Sequence, residues 1–506
     1  MTNLRALISG SDVRGRALGE GAVLNENVAG RLGESFAAFL KKRGCQTPKV
    51  YVGRDSRLSG ESLLNAFVDG LRAGGARAVN VGMCTTPAMY MALITEGWGG
   101  DGSVMVTASH LPPERNGFKF FLPDGGIGLD TLHEILDLAE SDESFICAGG
   151  SAEEADFLPT YQGLLRRRIQ EGLDTDVPKP LLGLHVAVDA GNGAGGFYAS
   201  FLESLGASVD GSRYLDPDGR FPNHIPNPED PTAMASISEA VRESGADMGV
   251  IFDTDCDRAA IVDSTGREIN RNRLIALVSA VLLDRTPGIT VVTDSVTSSG
   301  LKKFIGEWGG VQYRYRRGYH NVIEEARRLN EAGVDCPLAM ETSGHAALRE
   351  NHFLDDGMYL VTVLICEAMR MKQQGRSLFG LIDDLEEPLE SAEVRLRIQT
   401  ADFRTAGKEA IETIMDRAYG TPGWTIAPDN REGVRINLDL DGKIESAWFL
   451  LRLSVHDPVL PLNMESDVPG GCLTMAKALC DALKDNPSLD IEPLQQFIRQ
   501  EELKHV

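Results

Sequence analysis

Long apolar runs are missing from this 506-residue chain. None approaches the roughly 18 residues a membrane-spanning helix requires, and the N-terminal MTNLRALISGSDVRG has no signal-peptide core. Paired cysteines are missing as well. The 8 cysteines are scattered, with no CxxC, which argues against zinc and against a secreted disulfide framework, and for a reducing compartment. Positive charge is in deficit: 50 Lys and Arg face 74 Asp and Glu, a formal net charge of −24. Nucleic acid and anionic membranes reward clustered basic residues, so neither is expected as a partner. What remains is ordinary for a soluble globular protein, 42% hydrophobic and 25% charged. Disorder over most of the length is excluded on that composition. The chain is too long for one hydrophobic core, and three or four domains of about 150 residues are expected.

Three segments follow one grammar, in which an apolar strand gives way to a polar Gly/Asp/Ser loop and then to a helical pattern. They are KVYVGRDSRLSG from Lys49, LHVAVDAGNGAGG from Leu184 and TVVTDSVTSSGLKKFI from Thr290. Strands alternating with helices predict α/β domains with parallel or mixed sheets. Residues 139–156 read as a first linker and DDLEEPLES, from Asp383, as the last. Beyond it come charged alternating strands from Val394 and Val434, with helices over 404–419 and 473–483 and a hairpin turn at Asp441 and Gly442. This region predicts a smaller α+β domain with an antiparallel sheet.

The chemistry concentrates in three stretches. Residues 107–119, TASHLPPERNGFK, put the hydroxyl of Ser109, His110 and Lys119 on one Gly/Pro-punctuated loop between strands. Thr107 and Ser109 taken alone also fit a helix or turn cap. Residues 250–258, VIFDTDCDR, place Asp253, Asp255 and Asp257 at alternate positions. In an extended segment the three carboxylates converge on one side, and a hard cation relieves their repulsion. An EF-hand fails, because its sixth position should be Gly and its twelfth Glu, whereas Arg258 and Ser264 stand there. A solvated acidic turn is the bland alternative; Mg2+, which accepts a phosphate oxygen as a further ligand, is the better fit. Residues 337–348, PLAMETSGHAAL, deliver Glu341, Ser343 and His345 on a short Gly loop. That group suits sugar hydroxyls, or else a capped turn. Basic residues that would reverse the acidic field locally are Arg14, Arg54, Arg57, Arg258, Arg314, Arg316 and Arg317. A dinucleotide-dependent oxidoreductase is a minor alternative, resting on Gly191, Gly193 and Gly196 after a strand, with Asp210 as the ribose acid.

Taken in order, TASHxPPxxNGxK, DxDxDR and xExSGH resemble the α-D-phosphohexomutases, the superfamily of phosphoglucomutase, phosphomannomutase and phosphoglucosamine mutase, along essentially the whole chain. The resemblance implies three α/β domains with mixed sheets (1–155, 156–266 and 267–386) and an α+β domain like that of TATA-box-binding proteins (387–506), around a central cleft. It implies a phosphorylated Ser109 whose phosphate shares Mg2+ with Asp253, Asp255 and Asp257, surrounded by His110, Lys119, Arg14 and Arg258. Glu341, Ser343 and His345 match the sugar-binding motif. The implied reaction passes phosphate from phosphoserine to a hexose monophosphate and back through a 1,6-bisphosphate, which also serves as activator. Lys119 is the expected acid/base, pushed toward neutrality by neighbouring positive charge.

The last motif departs from the family pattern. Where RxSGTxPxxxxR is expected, the chain reads RLSVHDPVLPLNME from Arg452. Arg452, Ser454 and Pro458 keep the pattern; Val455 and His456 replace the usual small residue and threonine, Asp457 adds negative charge and Asn463 stands for an arginine. Arg452, Ser454 and His456 are the expected phosphate ligands. Val296, Tyr319 and Leu111 also replace a usual lysine, histidine and asparagine. Such divergence resembles chloroplast-type members, so the expected setting is cytoplasm or plastid stroma, as monomer or homodimer. A hexose-1,6-bisphosphate synthase and a non-catalytic sugar-phosphate-binding protein remain alternatives.

Overall fold

The computed structural model describes residues 3–454 and 457–504. It divides into two compact units, one of Met1–Val281 with Ser343–Asp383 and one of Leu282–Thr342 with Asp384–Val506.

The first unit opens with a mixed sheet whose strands run, in spatial order, Ile8–Ser9, Asp12–Arg16, Arg115–Leu122, Gly102–Val106, Lys49–Arg54, Arg77–Met83 and Ser151–Glu154. Lys49–Arg54 lies parallel to both its neighbours, while Gly102–Val106 and Arg115–Leu122 are antiparallel. Helices Glu26–Lys42 and Gly60–Ala73 cover it, burying Phe36 and Phe67 against Phe118 and Phe120 of the sheet. Ser151–Glu154 pairs in parallel with Arg77–Met83. The last part of the stretch that reads as a linker from its charge, Ser151–Glu154, therefore adds a solvent-exposed edge strand, the position where acidic residues are tolerated.

A second sheet has the order Glu268–Ile269, Ala259–Asp263, Met248–Phe252, Val186–Asp189. Met248–Phe252 is buried throughout and pairs with Ala259–Asp263 as a hairpin, so the residues between them must turn tightly. The flanking helix Pro231–Ser244 carries its own signals: Asp230 accepts from Thr232 N and Ala233 N at 2.8 and 3.1 Å, Pro231 opens the helix, and Gly245 closes it at φ 68°. Helix Gly357–Gln373 packs against helix Leu158–Leu173 in the same unit.

In the second unit Thr290–Thr293 lies between Val311–Arg314 and Leu338–Met340, all parallel. Helices Ser299–Glu307, capped by Ser298, and Tyr319–Glu331 follow the first two strands. The chain ends in an antiparallel sheet ordered Trp424–Ile426, Val434–Leu440, Lys443–Leu451, Val459–Ser466, Glu390–Ile398, Leu489–Asp490. Helices Phe403–Gly420 and Gly471–Leu483 bury the apolar alternates of these strands, among them Val434, Ile436, Leu438, Phe449 and Leu451. Asp441 and Gly442 both take positive φ, 52° and 74°, the backbone a two-residue hairpin requires. The fold is thus α/β with mixed sheets and a sheet-rich C-terminal domain, as the pattern predicts. Among the described residues no helix is long and apolar enough to cross a membrane.

Candidate active site

The hairpin turn after Phe252 carries the aspartate trio. It is a tight loop with Cys256 at φ 64°, so the carboxylates converge through a turn and not through the alternation of an extended strand. All three are buried, and one ligand oxygen from each lies within 4.8 Å of the others. Asp255 Oδ1 and Asp257 Oδ1 accept no hydrogen bond among the described residues. Buried hard oxygens left without donors fit a divalent cation.

Ser109 meets this turn directly. Its Oγ donates to Asp253 Oδ2 at 2.7 Å and accepts from Arg258 Nη2 at 3.1 Å, with His110 Nδ1 at 3.3 Å. Arg258 also donates to His110 Nδ1 at 2.6 Å, which makes that nitrogen an acceptor. Lys119 lies inside the strand Arg115–Leu122, not in the loop, and strand geometry aims its Nζ at Asp255 Oδ2, 3.2 Å away, and at Asp257 Oδ2. Arg14, on the strand antiparallel to it, donates to Asp12 at 2.8 Å. His345 pairs through its backbone with Arg258, holds Ser343 Oγ at 2.9 Å, and places Nε2 3.8 Å from Asp257.

The electrostatics follow from crowding. Burial, reinforced by Asp257 and Asp255, pushes the Asp253 carboxyl well above the usual carboxylate range. Burial raises Asp257 too, but Lys119 and Arg258 outweigh it and hold that group below its usual value. Burial disfavours the Lys119 ammonium, yet Asp255, Asp257 and Asp12 overcome this and raise its pKa well above normal. The expected drift of Lys119 toward neutrality is therefore reversed, because acidic neighbours outnumber basic ones around it. Burial, with Arg258 and Arg14 nearby, brings His110 down to about 2 and His345 well below its usual value, so both rings are neutral.

Other expected residues fall elsewhere. Glu341, in the second unit, accepts from Gly318 N at 2.6 Å. Arg452 begins the loop between strands Lys443–Leu451 and Val459–Ser466, where Ser454 Oγ accepts from Asp457 N at 3.3 Å; His456 lies outside the described residues. Arg452 and Arg317 both act on the buried Asp294, whose carboxyl is nevertheless raised by burial. Asn463, standing for an arginine, donates to Glu393 at 3.1 Å. Arg314 is buried against Asp429 at 2.8 Å, Arg316 stacks near Tyr315, and Arg54 bonds the carbonyl of Asp55. Arg57 turns away from the anion site to bond backbone carbonyls.

The glycine loop 191–196 is not a dinucleotide cradle. A β-carbon on Gly196 would lie 1.8 Å from the Leu215 carbonyl oxygen, and one on Gly193 would lie 2.8 Å from that of Thr254. Gly193 lets the chain press against the aspartate turn, where Ala194 N donates to Thr254 O at 2.8 Å, and Gly196 admits the backbone of Leu215. The Asp210 carboxylate accepts from Ser208 Oγ at 3.2 Å, while His185 Nε2 lies 2.9 Å from its backbone carbonyl oxygen. Sequence reading missed Thr86, which holds Asp255 through its hydroxyl at 2.5 Å and its amide at 2.9 Å. TTP at a helix start signals a cap, but nothing local names a partner 169 positions away.

Comparison with known proteins agrees with this geometry. Family models described as phosphoglucomutase/phosphomannomutase alpha/beta/alpha domains I, II and III match residues 5–145, 168–266 and 270–388. A phosphomannomutase/phosphoglucomutase of Pseudomonas aeruginosa is 32% identical over 90% of this chain and 90% of its own. This chain belongs to the phosphoglucomutase/phosphomannomutase family. A phosphoglucomutase of Neisseria gonorrhoeae is 30% identical over 96% of the chain and 98% of its own length. Among solved structures, a phosphoglucomutase/phosphomannomutase family protein from Burkholderia thailandensis superposes with a TM-score of 0.79, at 28% identity, covering 96% of this chain and 99% of that one. These relatives are bacterial, and a plastid setting finds no support among them. In this family member, then, the aspartate turn, Ser109 and their basic neighbours lie in the matched domains I and II, while the altered loop at Arg452 lies beyond domain III.

Proposed function

We propose that this family member is a phosphohexomutase that interconverts hexose 1-phosphates and hexose 6-phosphates, with Ser109 as the phosphate carrier and a 1,6-bisphosphate as intermediate and activator. The observation that carries this reading is the 2.7 Å contact of Ser109 Oγ with an aspartate of the buried trio. Asp253, Asp255 and Asp257 would hold Mg2+ beside the phosphate on Ser109. When bound, that ion neutralises phosphoryl oxygens.

The chain's own residues do the rest. Arg258 and Arg14 bring positive charge to the phosphoryl group, and electrostatic stabilisation is the main requirement of this chemistry. Transfer breaks the bond from phosphorus to Ser109 Oγ and forms one to a free hexose hydroxyl, and the proton that this hydroxyl loses balances the one that Ser109 Oγ takes up as the phosphate leaves it. Lys119, kept charged by Asp255 and Asp257, is the proton donor of the site and the candidate acid/base. His110 and His345, as neutral imidazoles, each retain an acceptor nitrogen. The bisphosphate then turns round and returns its other phosphate to Ser109. Glu341, Ser343 and His345 are the proposed ligands of the sugar, and Arg452, Ser454 and His456 those of the phosphate not being transferred. The partner is thus a small sugar phosphate.

The test is a coupled assay of the native protein with glucose, mannose and glucosamine 1- and 6-phosphates, Mg2+ and a hexose 1,6-bisphosphate. Interconversion of at least one pair is expected. Absence of turnover on every pair, in protein whose Ser109 accepts phosphate, points to bisphosphate synthesis; absence of both refutes the mutase reading.

A further inference from the structure

The reading above leaves Arg57 without a role, although its side chain is fully buried. Nη1 donates to the carbonyl oxygens of Pro112 and Arg115 at 2.8 and 2.9 Å, and Nη2 donates to those of Leu111, at 2.5 Å, and Ser109. Four carbonyls of a single loop thus turn inward onto one guanidinium. Asp55 balances the charge at 3.3 Å from Nε. Asp55 Oδ1 also accepts from Arg57 N at 2.9 Å, and a further contact closes a circuit: Asp55 Oδ2 accepts from Thr107 Oγ1 at 2.6 Å, and Thr107 Oγ1 in turn accepts from Ser109 N at 2.9 Å. The ring of Phe221 covers the guanidinium at 5.2 Å.

Ser109 needs this support. It sits at φ 51°, a left-handed backbone that a non-glycine residue holds only where its surroundings over-determine it. Both backbone groups of Ser109 are tied into the circuit, its carbonyl to Arg57 and its amide through Thr107 to Asp55. The planar fork of an arginine spans several carbonyls at fixed angles; the point charge of a lysine does not.

The geometry points to Arg57 as the positioning residue of the nucleophile loop: it fixes the left-handed turn that aims Ser109 Oγ at Asp253, without touching the transferred phosphate. The kinetic half of this inference rests on Ser109 being the phosphate carrier; the structural half does not.

Arg57→Lys and Thr107→Val, each in the full chain, test both halves. Hydrogen exchange over peptides spanning 107–116 reports the loop; single-turnover phosphorylation of Ser109 from a hexose 1,6-bisphosphate, kcat, KM and calorimetric Mg2+ titration report the chemistry. In Arg57→Lys the loop should exchange roughly tenfold faster while the rest of the first unit is unchanged. Phosphoserine formation and kcat should fall about 100-fold, as for a misplaced reacting atom, with KM and Mg2+ affinity held within roughly threefold. Thr107→Val should show smaller losses of the same kind, and it carries the test should Arg57→Lys not fold. Native exchange with native kcat overturns the inference, and so does a loss that appears in KM or Mg2+ affinity. If the native protein never labels Ser109, the proposed function fails, and the exchange measurement still decides whether Arg57 sets the loop.

Discussion

Ser109 Oγ and Asp253 Oδ2, 144 positions apart in the chain, are 2.7 Å apart in the fold. That contact joins a hydroxyl to a buried acidic trio, and in the mechanism proposed above the hydroxyl is the group that turnover depends on. Ser109→Ala is expected to abolish turnover in the coupled assay, by about a thousandfold or more, as when a nucleophile is removed. Phosphate from a labelled hexose 1,6-bisphosphate should no longer be retained by the protein. Equal rates for variant and native protein would remove Ser109 from the mechanism.

The trio predicts a response to divalent cations. Chelation should abolish turnover and Mg2+ restore it. A cation that binds the trio only in the folded state stabilises that state, so Mg2+ at 100 times its Kd should stabilise the protein by about 2.7 kcal/mol, seen as a rise in Tm by scanning calorimetry. Asp255→Asn removes one buried charge from the set and should erase most of that rise. A Tm indifferent to Mg2+ in the native protein would count against a cation at this turn.

Arg452 and Arg317 share the field of Asp294 in the second unit. If they serve the phosphate that is not transferred, Arg452→Gln should raise KM for the hexose phosphate roughly 10- to 100-fold, the loss of a charge-assisted hydrogen bond worth about 1.5–3 kcal/mol. The kcat should change far less. Asn463→Arg restores a second guanidinium at the expected position, and a lower KM for it would show that the altered loop is a weakened clamp.

Asp356 caps helix Gly357–Gln373, accepting from Tyr359 N at 2.8 Å and from Tyr161 at 2.7 Å. Burial raises its pKa from 3.8 to about 6, against the pull of those hydrogen bonds. The folded state therefore binds the proton more tightly than the unfolded state, and this group's contribution is greatest below pH 3.8 and is lost as pH rises through 6. Asn keeps the cap but carries no charge. Asp356→Asn should gain on the native protein by about 3 kcal/mol between pH 4 and pH 7 in urea denaturation, and then level off. A constant difference across that range would refute the shift.

Gly196 predicts a packing penalty. A β-carbon there meets the Leu215 carbonyl oxygen at 1.8 Å, which only a backbone shift relieves. Gly196→Ala should cost about 1–3 kcal/mol or more by overpacking, measured as a lower urea midpoint, with no change in NADH fluorescence for either protein.

Local signals in the sequence carried much of the fold. The strand–loop–helix segments at Lys49, Leu184 and Thr290 form as such, because each has an apolar run of strand length followed by a helical pattern. Asp441 and Gly442 make the hairpin, because few residues tolerate positive φ. Within the stretch 139–156, which follows the first domain, Ser151–Glu154 forms an exposed edge strand that acidic composition alone does not announce, and only pairing with Arg77–Met83 reveals it.

In the site, the amino-acid order determined which residue types were present: a serine, a trio of aspartates and a set of cations, each held near its neighbours by short-range spacing. The tertiary structure decided what each one faces. Lys119 is charged because three acids surround it, Arg57 serves backbone carbonyls in place of phosphate, and the glycines at 193 and 196 admit a neighbouring backbone in place of a nucleotide. Partners that decide charge and direction lie 50 to 170 positions away in sequence, and burial multiplies the energy of each such contact by lowering the local dielectric. No local pattern encodes that environment; the packed chain creates it.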